Sequence, residues 1–426
     1  MLVAFFIACL SSSVIALPFQ DDEKLVATGT TMGVVTWNVT AYGDLGESGS
    51  QKTEQIETAI ATELESVNQM MSTYIKDSDV SQFNLHEGID WFTVSSDTAL
   101  VVSRALEISE RSAGAFDITV QPLVQLWKFG TDKDEPSIPA PDAIAEALKQ
   151  IGWQHLQVRL DPPALKKSKP TLQIDLSAIA KGYAVDRVAK RLGQLDIENF
   201  LVEVGGEVRA SGEKPEAMPW KVGIEKPLAI KREPYQVVEL YHKSLASSGD
   251  YRNYFTVDGK KYSHTIDPRT GKPVEHDVAS TSVIADDCMT ADALATALMV
   301  LGPKAGLELA ESMKVQAMFL TRQGSKLVAT ATESFPKNSV ASNQPKQSSD
   351  LSFFRMMAVA SVLFAVAIVA MAIGVIFGRE RIKGSCGGIA ALDNPDIKPE
   401  CSLCSRAAEC DELKEAIKNR SNETAD

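Results

Sequence analysis

LQIDLSAIAKGYAVDRVAKRLGQLDIENFLVEV, residues 172–204, carries the decision on fold class. Apolar residues alternate over 172–176, which predicts a strand. From 179 to 195 they recur every three or four positions, which predicts a helix, and over 200–204 they alternate again. The rest of the chain does not keep this rhythm. Upstream, TMGVVTWNVT predicts a strand over 31–40 with Val35, Trp37 and Val39 on one face. Ile56, Ile60, Leu64, Val67 and Met71 then repeat at helical spacing, and further helices are expected at 97–112 and 141–150, the latter opened by Pro141 and closed by Gly152. Downstream comes a meander whose clearest turn, Asp258-Gly259, joins strands at 254–257 and 261–264. A strand at 278–285, a helix at 291–301 and a strand at 316–320 follow. Strands and helices mix without strict alternation, so the class is α+β. No internal repeat is visible.

A chain of 426 residues exceeds one ordinary domain, and 44% hydrophobic residues suffice for a core. The net charge of -13 excludes backbone-driven nucleic-acid binding, which needs clustered Lys and Arg. Cys288 stands alone in the long middle, so the globular part has no internal disulfide, whereas Cys386, Cys401, Cys404 and Cys410 crowd near the C-terminus.

Residues 1–17 (MLVAFFIACLSSSVIAL) read as a secretory signal, with Val14-Ile15-Ala16 as the cleavage site and a lipidated Cys9 as the alternative. Residues 356–378 carry no charge over a length sufficient to span a bilayer. Arg379, Arg381 and Lys383 behind them place the C-terminal side in the cytoplasm. The expectation is a single-pass protein of a bacterial inner membrane. The domain at 18–333 and the polar linker at 334–355 lie on the periplasmic side, and a short tail at 379–426 lies inside.

Four stretches carry chemistry. In DLSAIAKGYAVD (175–186), Asp175 stands at the mouth of a helix and Lys181 in its first turns, a setting that suits a phosphate. A capping Asp175 and a solvent-facing Lys181 would account for the same residues. In TADALAT (290–296), Asp292 and Thr296 share a helical face and offer oxygen to a hard cation such as Mg²⁺; a dipole-complementing Asp and a packed Thr are the alternative. In SHTIDPRTGKP (263–273), His264 precedes a tight polar turn and could accept a proton from a hydroxyl. GAFDITVQPLVQLWKFG (114–130) holds Phe116 and Trp127, which suit either ring stacking or core packing.

Together these stretches closely resemble the ApbE-type FAD:protein FMN transferases over about residues 28–333. The matching motifs are GTTMG (29–33), MSTY (71–74) followed by SDVSQFN, GAFDITV, DLSAIAKGYAVD, VEVGGEV (202–208), ASSGDYRNYF, HTIDPRTG and ADALATALMVLG. The resemblance implies a two-subdomain, T-fold-like domain with an FAD cleft. It implies that FAD, the substrate, contacts Met32, Tyr74, Ala115, Phe116, Asp117, Asp175, Lys181 and Ile266. It also implies that Mg²⁺ is held by Asp292, Thr296 and the Ala178 carbonyl, and that His264 activates the acceptor threonine while AMP leaves. Gln121 and Thr265 depart from the family's usual residues. With water as acceptor the same site would be an FAD pyrophosphatase, and without chemistry a flavin-binding lipoprotein.

The tail, GSCGGIAALDNPDIKPECSLCSRAAEC, offers Cys386, Cys401, Cys404 and Cys410 as ligands for iron or zinc in a reducing compartment. One helix followed by such cysteines resembles NqrM, the maturation factor of the Na⁺-translocating NADH:quinone reductase. That resemblance implies iron delivery. It also points to flavin-accepting membrane redox subunits, of the NqrB/NqrC or RnfG/RnfD type, as partners.

Overall fold

The computed structural model describes residues 23–43, 49–129, 137–227 and 233–337. The expected signal segment, the expected membrane helix at 356–378 and the stretch with the four cysteines lie outside these residues, as does the expected linker beyond residue 337.

The chain enters through β1 (Glu23–Thr31) and β2 (Val35–Gly43), then α1 (Gly49–Met71), α2 (Asp79–Leu85), β3 (Phe92–Thr93) and α3 (Ser96–Arg111). Next come α4 (Gln121–Leu126), α5 (Pro141–Gln150), β4 (Leu156–Leu160), β5 (Pro163–Lys167), α6 (Ala180–Gln194), β6 (Asn199–Val204) and β7 (Glu207–Ser211). The strands β8 (Trp220–Glu225), β9 (Pro234–Leu240), β10 (Ser244–Gly249), β11 (Tyr254–Val257), β12 (Lys260–Ser263), β13 (Ile266–Asp267), β14 (Lys272–Pro273) and β15 (Val278–Ala285) follow. The described part closes with α7 (Cys288–Ser312), β16 (Gln316–Gln323) and β17 (Lys326–Ala331).

One antiparallel sheet of eight strands, ordered β1-β2-β6-β7-β10-β15-β16-β17, organises the fold. Side chains of a strand alternate between faces, so the central strands feed two cores. Val202, Val204, Val283, Ala317 and Phe319 point to the helical layer of α1, α6 and α7. Val208, Ala210, Ile284, Met318 and Leu320 point the other way, under the β8–β9 hairpin with Trp220, Val238 and Leu240. This explains why every residue of β15 is buried. Burying each such large aliphatic or Phe side chain contributes about 1.5–3 kcal/mol. A third, smaller cluster gathers around Leu123, Trp127, Ile144 and Ile266 within the same compact unit.

The helical periodicity of α1 holds, since Ile56, Ile60, Leu64, Val67 and Met71 are all buried. The strand expected at 31–40 is instead two. Met32 at φ 48° and Gly33 at φ 83° turn the chain between β1 and β2. The segment 172–176 joins no sheet; its backbone is gripped by a side chain, described below. The helix expected at 291–301 begins at Cys288 and continues to Ser312 past a break at Gly302 (φ 73°, ψ 177°). Pro303 lacks the N–H that would meet the Met299 carbonyl, and His276 Nε2 takes that carbonyl at 2.7 Å. By length and composition α7 could cross a membrane, but most of it is buried inside the domain.

Candidate active site

The site forms where α6 and α7 cross. Gly182 makes the crossing possible: a Cβ there would lie 2.3 Å from the Cys288 carbonyl oxygen and 2.8 Å from Asp292 Cβ. The Gly182 amide donates to Asp292 Oδ2 at 2.9 Å, so a first-turn amide of α6 is tied to the carboxylate of α7. The start of α7 is held by two carboxylates. Asp287 accepts from the Thr290 amide at 2.8 Å, and Asp186 accepts from the Cys288 and Met289 amides at 3.0 and 2.9 Å.

Lys181 reaches from the first turn of α6 to Glu207 Oε1 at 2.5 Å, at the start of β7. Gly205, at φ 64°, leaves room between them; a Cβ there would meet Val35 at 2.9 Å and Lys181 Cδ at 3.4 Å. The VEVGGEV turn is thus a cradle for Lys181. Glu207 Oε2 is buried without a partner. Burial pushes the Glu207 carboxyl up to about 7 against the pull of Lys181. Burial would lower the Lys181 ammonium, but Glu207 and Asp292 outweigh it and raise it. Burial likewise raises Asp292, opposed by Lys181 and the Gly182 amide. The Lys181 ammonium thus pairs with one carboxylate and lies in the field of a second, and one Glu207 oxygen is buried without a hydrogen bond.

Asp175 precedes this crossing. Its carboxylate accepts from the Ser177 amide at 2.8 Å, and its own amide donates to Ile118 O at 2.7 Å. The segment before it is held by Asn84, from the SDVSQFN stretch. Asn84 Nδ2 donates to Ile174 O at 2.9 Å, and Asn84 Oδ1 accepts from Ile174 N at 2.7 Å. One amide side chain therefore does the work of a neighbouring strand, which is why an alternating sequence forms no ladder here. Tyr74 is largely exposed; burial of part of its ring and the nearby Asp175 charge raise its phenol.

The GAFDITV stretch is a scaffold. Asp117 accepts from Thr119 N and Thr119 Oγ1 at 2.8 and 2.7 Å and from Trp153 N at 2.9 Å. Ala115 and Phe116 are buried, Phe116 in the main core, so neither side chain is open to stack on a ligand. Trp127 packs in the third cluster with Nε1 donating to Gly271 O at 2.8 Å, which decides for core packing over ring stacking. Ile266 is buried in that cluster. Met32 sits in the β1–β2 turn and packs partly against the main core.

His264 follows β12 at the edge of the same charged region. Burial lowers its imidazole, and the Lys181 and Lys261 charges lower it further, against the Asn253 carbonyl and Asp250. The structure thus gathers Lys181, Asp292 and His264 into one electrostatic neighbourhood, with Asp175 tied to the Asp117 loop. Glu207 and Asn84 carry no local signal of their role in the sequence. Their function depends on partners 26 and 90 positions away. Among the described residues no group of three or more His, Cys, Asp or Glu could hold a metal. A hard cation here would therefore depend on the Asp292 carboxylate, the Thr296 hydroxyl one turn on and the carbonyl of half-buried Ala178, completed by phosphate oxygens.

The chain is 39% identical over 316 residues to the FAD:protein FMN transferase of Vibrio cholerae, spanning 74% of this chain and 93% of that protein. It is 40% identical over 325 residues to the Haemophilus influenzae protein of the same name, spanning 75% and 92%. The solved flavin transferase ApbE from Vibrio cholerae superposes with a TM-score of 0.67 at 38% identity, covering 74% of this chain and 98% of that one. The apo flavinyl transferase ApbE of Pseudomonas stutzeri superposes at 0.66 with 38% identity, covering 74% and 97%. Residues 375–423 match the profile of (Na⁺)-NQR maturation NqrM. The ApbE profile matches residues 29–319, and with relatives at this identity over most of their length the chain belongs to the ApbE family.

Proposed function

We propose that the chain is a Mg²⁺-dependent FAD:protein FMN transferase that esterifies a threonine of a partner protein with FMN and releases AMP. One observation carries the reading: the Gly182 amide holds Asp292 at the helix crossing, within the electrostatic reach of Lys181, with a histidine nearby whose imidazole is held below its ordinary pKa. Lys181 and the first turn of α6 suit the FAD pyrophosphate. Asp175, Tyr74, Met32, Ile266 and the backbone of 115–117 line the approach for the rest of FAD. The donor set of one carboxylate, one hydroxyl and one carbonyl fits Mg²⁺, which takes few protein oxygens and completes its shell with phosphates. When bound it would offset the phosphate charge that repels an incoming oxygen.

The acceptor hydroxyl attacks the phosphorus of the FMN half. A new P–O bond to threonine forms, the P–O bond to the AMP phosphate breaks, and AMP leaves with the electron pair. His264, neutral near pH 7, takes the hydroxyl proton. Lys181 stays protonated throughout and stabilises charge on the phosphates.

The NqrM-like stretch supports a partner in the Na⁺-translocating NADH:quinone reductase, with subunits of the NqrB/NqrC or RnfG/RnfD type as flavin acceptors. In this reading the transferase domain faces the periplasm, the helix at 356–378 anchors it, and the cytoplasmic cysteines deliver iron to the same complex.

Incubation of the chain with FAD, Mg²⁺ and such a subunit tests the reading by mass spectrometry. An FMN-sized mass gain on a threonine with equal AMP is expected. AMP without a mass gain supports the pyrophosphatase, and bound FAD without AMP supports a flavin-binding protein.

A further inference from the structure

His264 makes two contacts with one atom. Its backbone amide donates to Asn253 O at 3.2 Å, and its ring Nδ1 lies 2.9 Å from the same oxygen. A carbonyl oxygen has no proton to give, so Nδ1 carries the hydrogen and the lone pair of the neutral ring sits on Nε2. The tautomer needed for a proton acceptor is therefore set by the position of a single carbonyl.

That carbonyl belongs to residues 250–253, the loop between β10 and β11. Asp250, only 8% exposed, anchors it. Its amide donates to Ala279 O of β15 at 3.1 Å. Its carboxylate receives both arms of Arg322 from β16, Nη1 to Oδ2 at 2.7 Å and Nη2 to Oδ1 at 2.6 Å. Lys261 Nζ of β12 lies 3.4 Å from Oδ2. Arg322 is itself fixed by its amide on Asp277 O at 2.8 Å. One carboxylate thus ties the loop to the large sheet on one side and to the β11–β12 hairpin on the other. Gly249 lets the loop fold tightly, since a Cβ there would lie 2.5 Å from the Tyr251 ring. On the hairpin side the Phe129 ring meets His264 edge-on at 6.5 Å.

We propose that Asp250, clamped by Arg322, is a positioning residue for His264, holding the Asn253 carbonyl where it fixes the Nδ1–H tautomer and turns Nε2 to the acceptor hydroxyl. The planar fork of Arg322 matters because two parallel hydrogen bonds set an angle as well as a distance, which an ammonium cannot do. This rests on reading His264 as the group that takes the acceptor proton.

The test uses the full chain in detergent, labelled with ¹⁵N-histidine, whose 5 histidines keep the spectrum simple. Long-range ¹⁵N–¹H correlation reads which ring nitrogen of His264 is protonated, with His264→Gln providing the assignment. The unmodified chain is expected to show Nδ1–H. Asp250→Asn and Arg322→Lys are expected to mix the tautomers and to lower turnover on the order of 10²-fold, as a roughly 1 Å displacement of a reacting group does, with FAD affinity within about twofold of the parent. A proton on Nε2 in the unmodified chain overturns the proposal even if a variant fails to fold. So does full turnover in both folded variants, or lost turnover with an unchanged tautomer. The tautomer is read without turnover, so absence of FMN transfer by the unmodified chain would sink the transferase reading separately.

Discussion

Gly182 on α6 donates its amide to Asp292 on α7, and the two helices approach so closely there that only hydrogen fits on its Cα. The candidate cation ligand and the first turn of α6 are therefore one mechanical unit. Gly182→Ala is expected to force the helices apart. Overpacking of this kind costs about 1–3 kcal/mol, read as a lower Tm, and FAD affinity should fall with it. A variant with parental Tm and FAD affinity would show that the crossing tolerates a methyl.

Asp292→Ala should abolish transfer. It removes the carboxylate at the proposed Mg²⁺ position and leaves Lys181 with Glu207 as its remaining anionic partner. Circular dichroism should report an intact fold while AMP release disappears. Undiminished activity at sub-millimolar Mg²⁺ would remove Asp292 from the metal site.

The pH dependence follows from His264. Burial, Lys181 and Lys261 hold its imidazole below 6.5, with the Asn253 carbonyl and Asp250 opposing. The acid limb of kcat/KM, which reports the free enzyme, should therefore lie below pH 6.5. The unfolded chain binds the proton first as pH falls, so this group's contribution to stability is present above 6.5 and is lost below it. His264→Ala should flatten the acid limb and lower turnover by about 10²–10⁴ with little loss of FAD affinity. An acid limb unchanged in His264→Ala would assign it to another group.

Asn84→Ala should weaken FAD binding from a distance. Ile174 would lose both backbone partners, each worth about 1–3 kcal/mol when left unsatisfied in a buried setting, and Asp175 would lose its support. Asn84→Asp keeps the acceptor for Ile174 N but loses the donor to Ile174 O, so it should fall between the two. Isothermal titration with FAD orders the three proteins, and equal affinities would show that Ile118 O alone holds Asp175.

Replacing Cys401 and Cys404 with serine should leave FMN transfer untouched and lower the iron content of the proposed partner reductase. Thiolates suit iron and zinc alike, so metal analysis of the anaerobically purified chain separates them. Stoichiometric zinc, or a reductase with full iron from cells carrying the double variant, would end the delivery role.

Much of this protein is legible locally. Five apolar residues at helical spacing define the buried face of α1 because a helix shows one stripe to its core. Asp258-Gly259 marks the β11–β12 turn because it needs left-handed backbone, observed at φ 50° and 76°. His264, Asp292 and Lys181 stand out as candidates because each lies in a short motif with its own chemistry. What escaped depends on atoms far away in sequence. Residues 172–176 alternate like a strand, yet Asn84, 90 positions from Ile174, takes the hydrogen bonds a ladder would use. Glu207 is an ordinary acidic residue until the fold buries it against Lys181. Asp250 matters only because Arg322, 72 positions later on β16, is brought to it by strand pairing. Periodicity reports which face of an element is apolar. Which polar group meets which is decided by closing the sheet and crossing the helices, because a hydrogen bond depends on tenths of an ångström that no local pattern encodes.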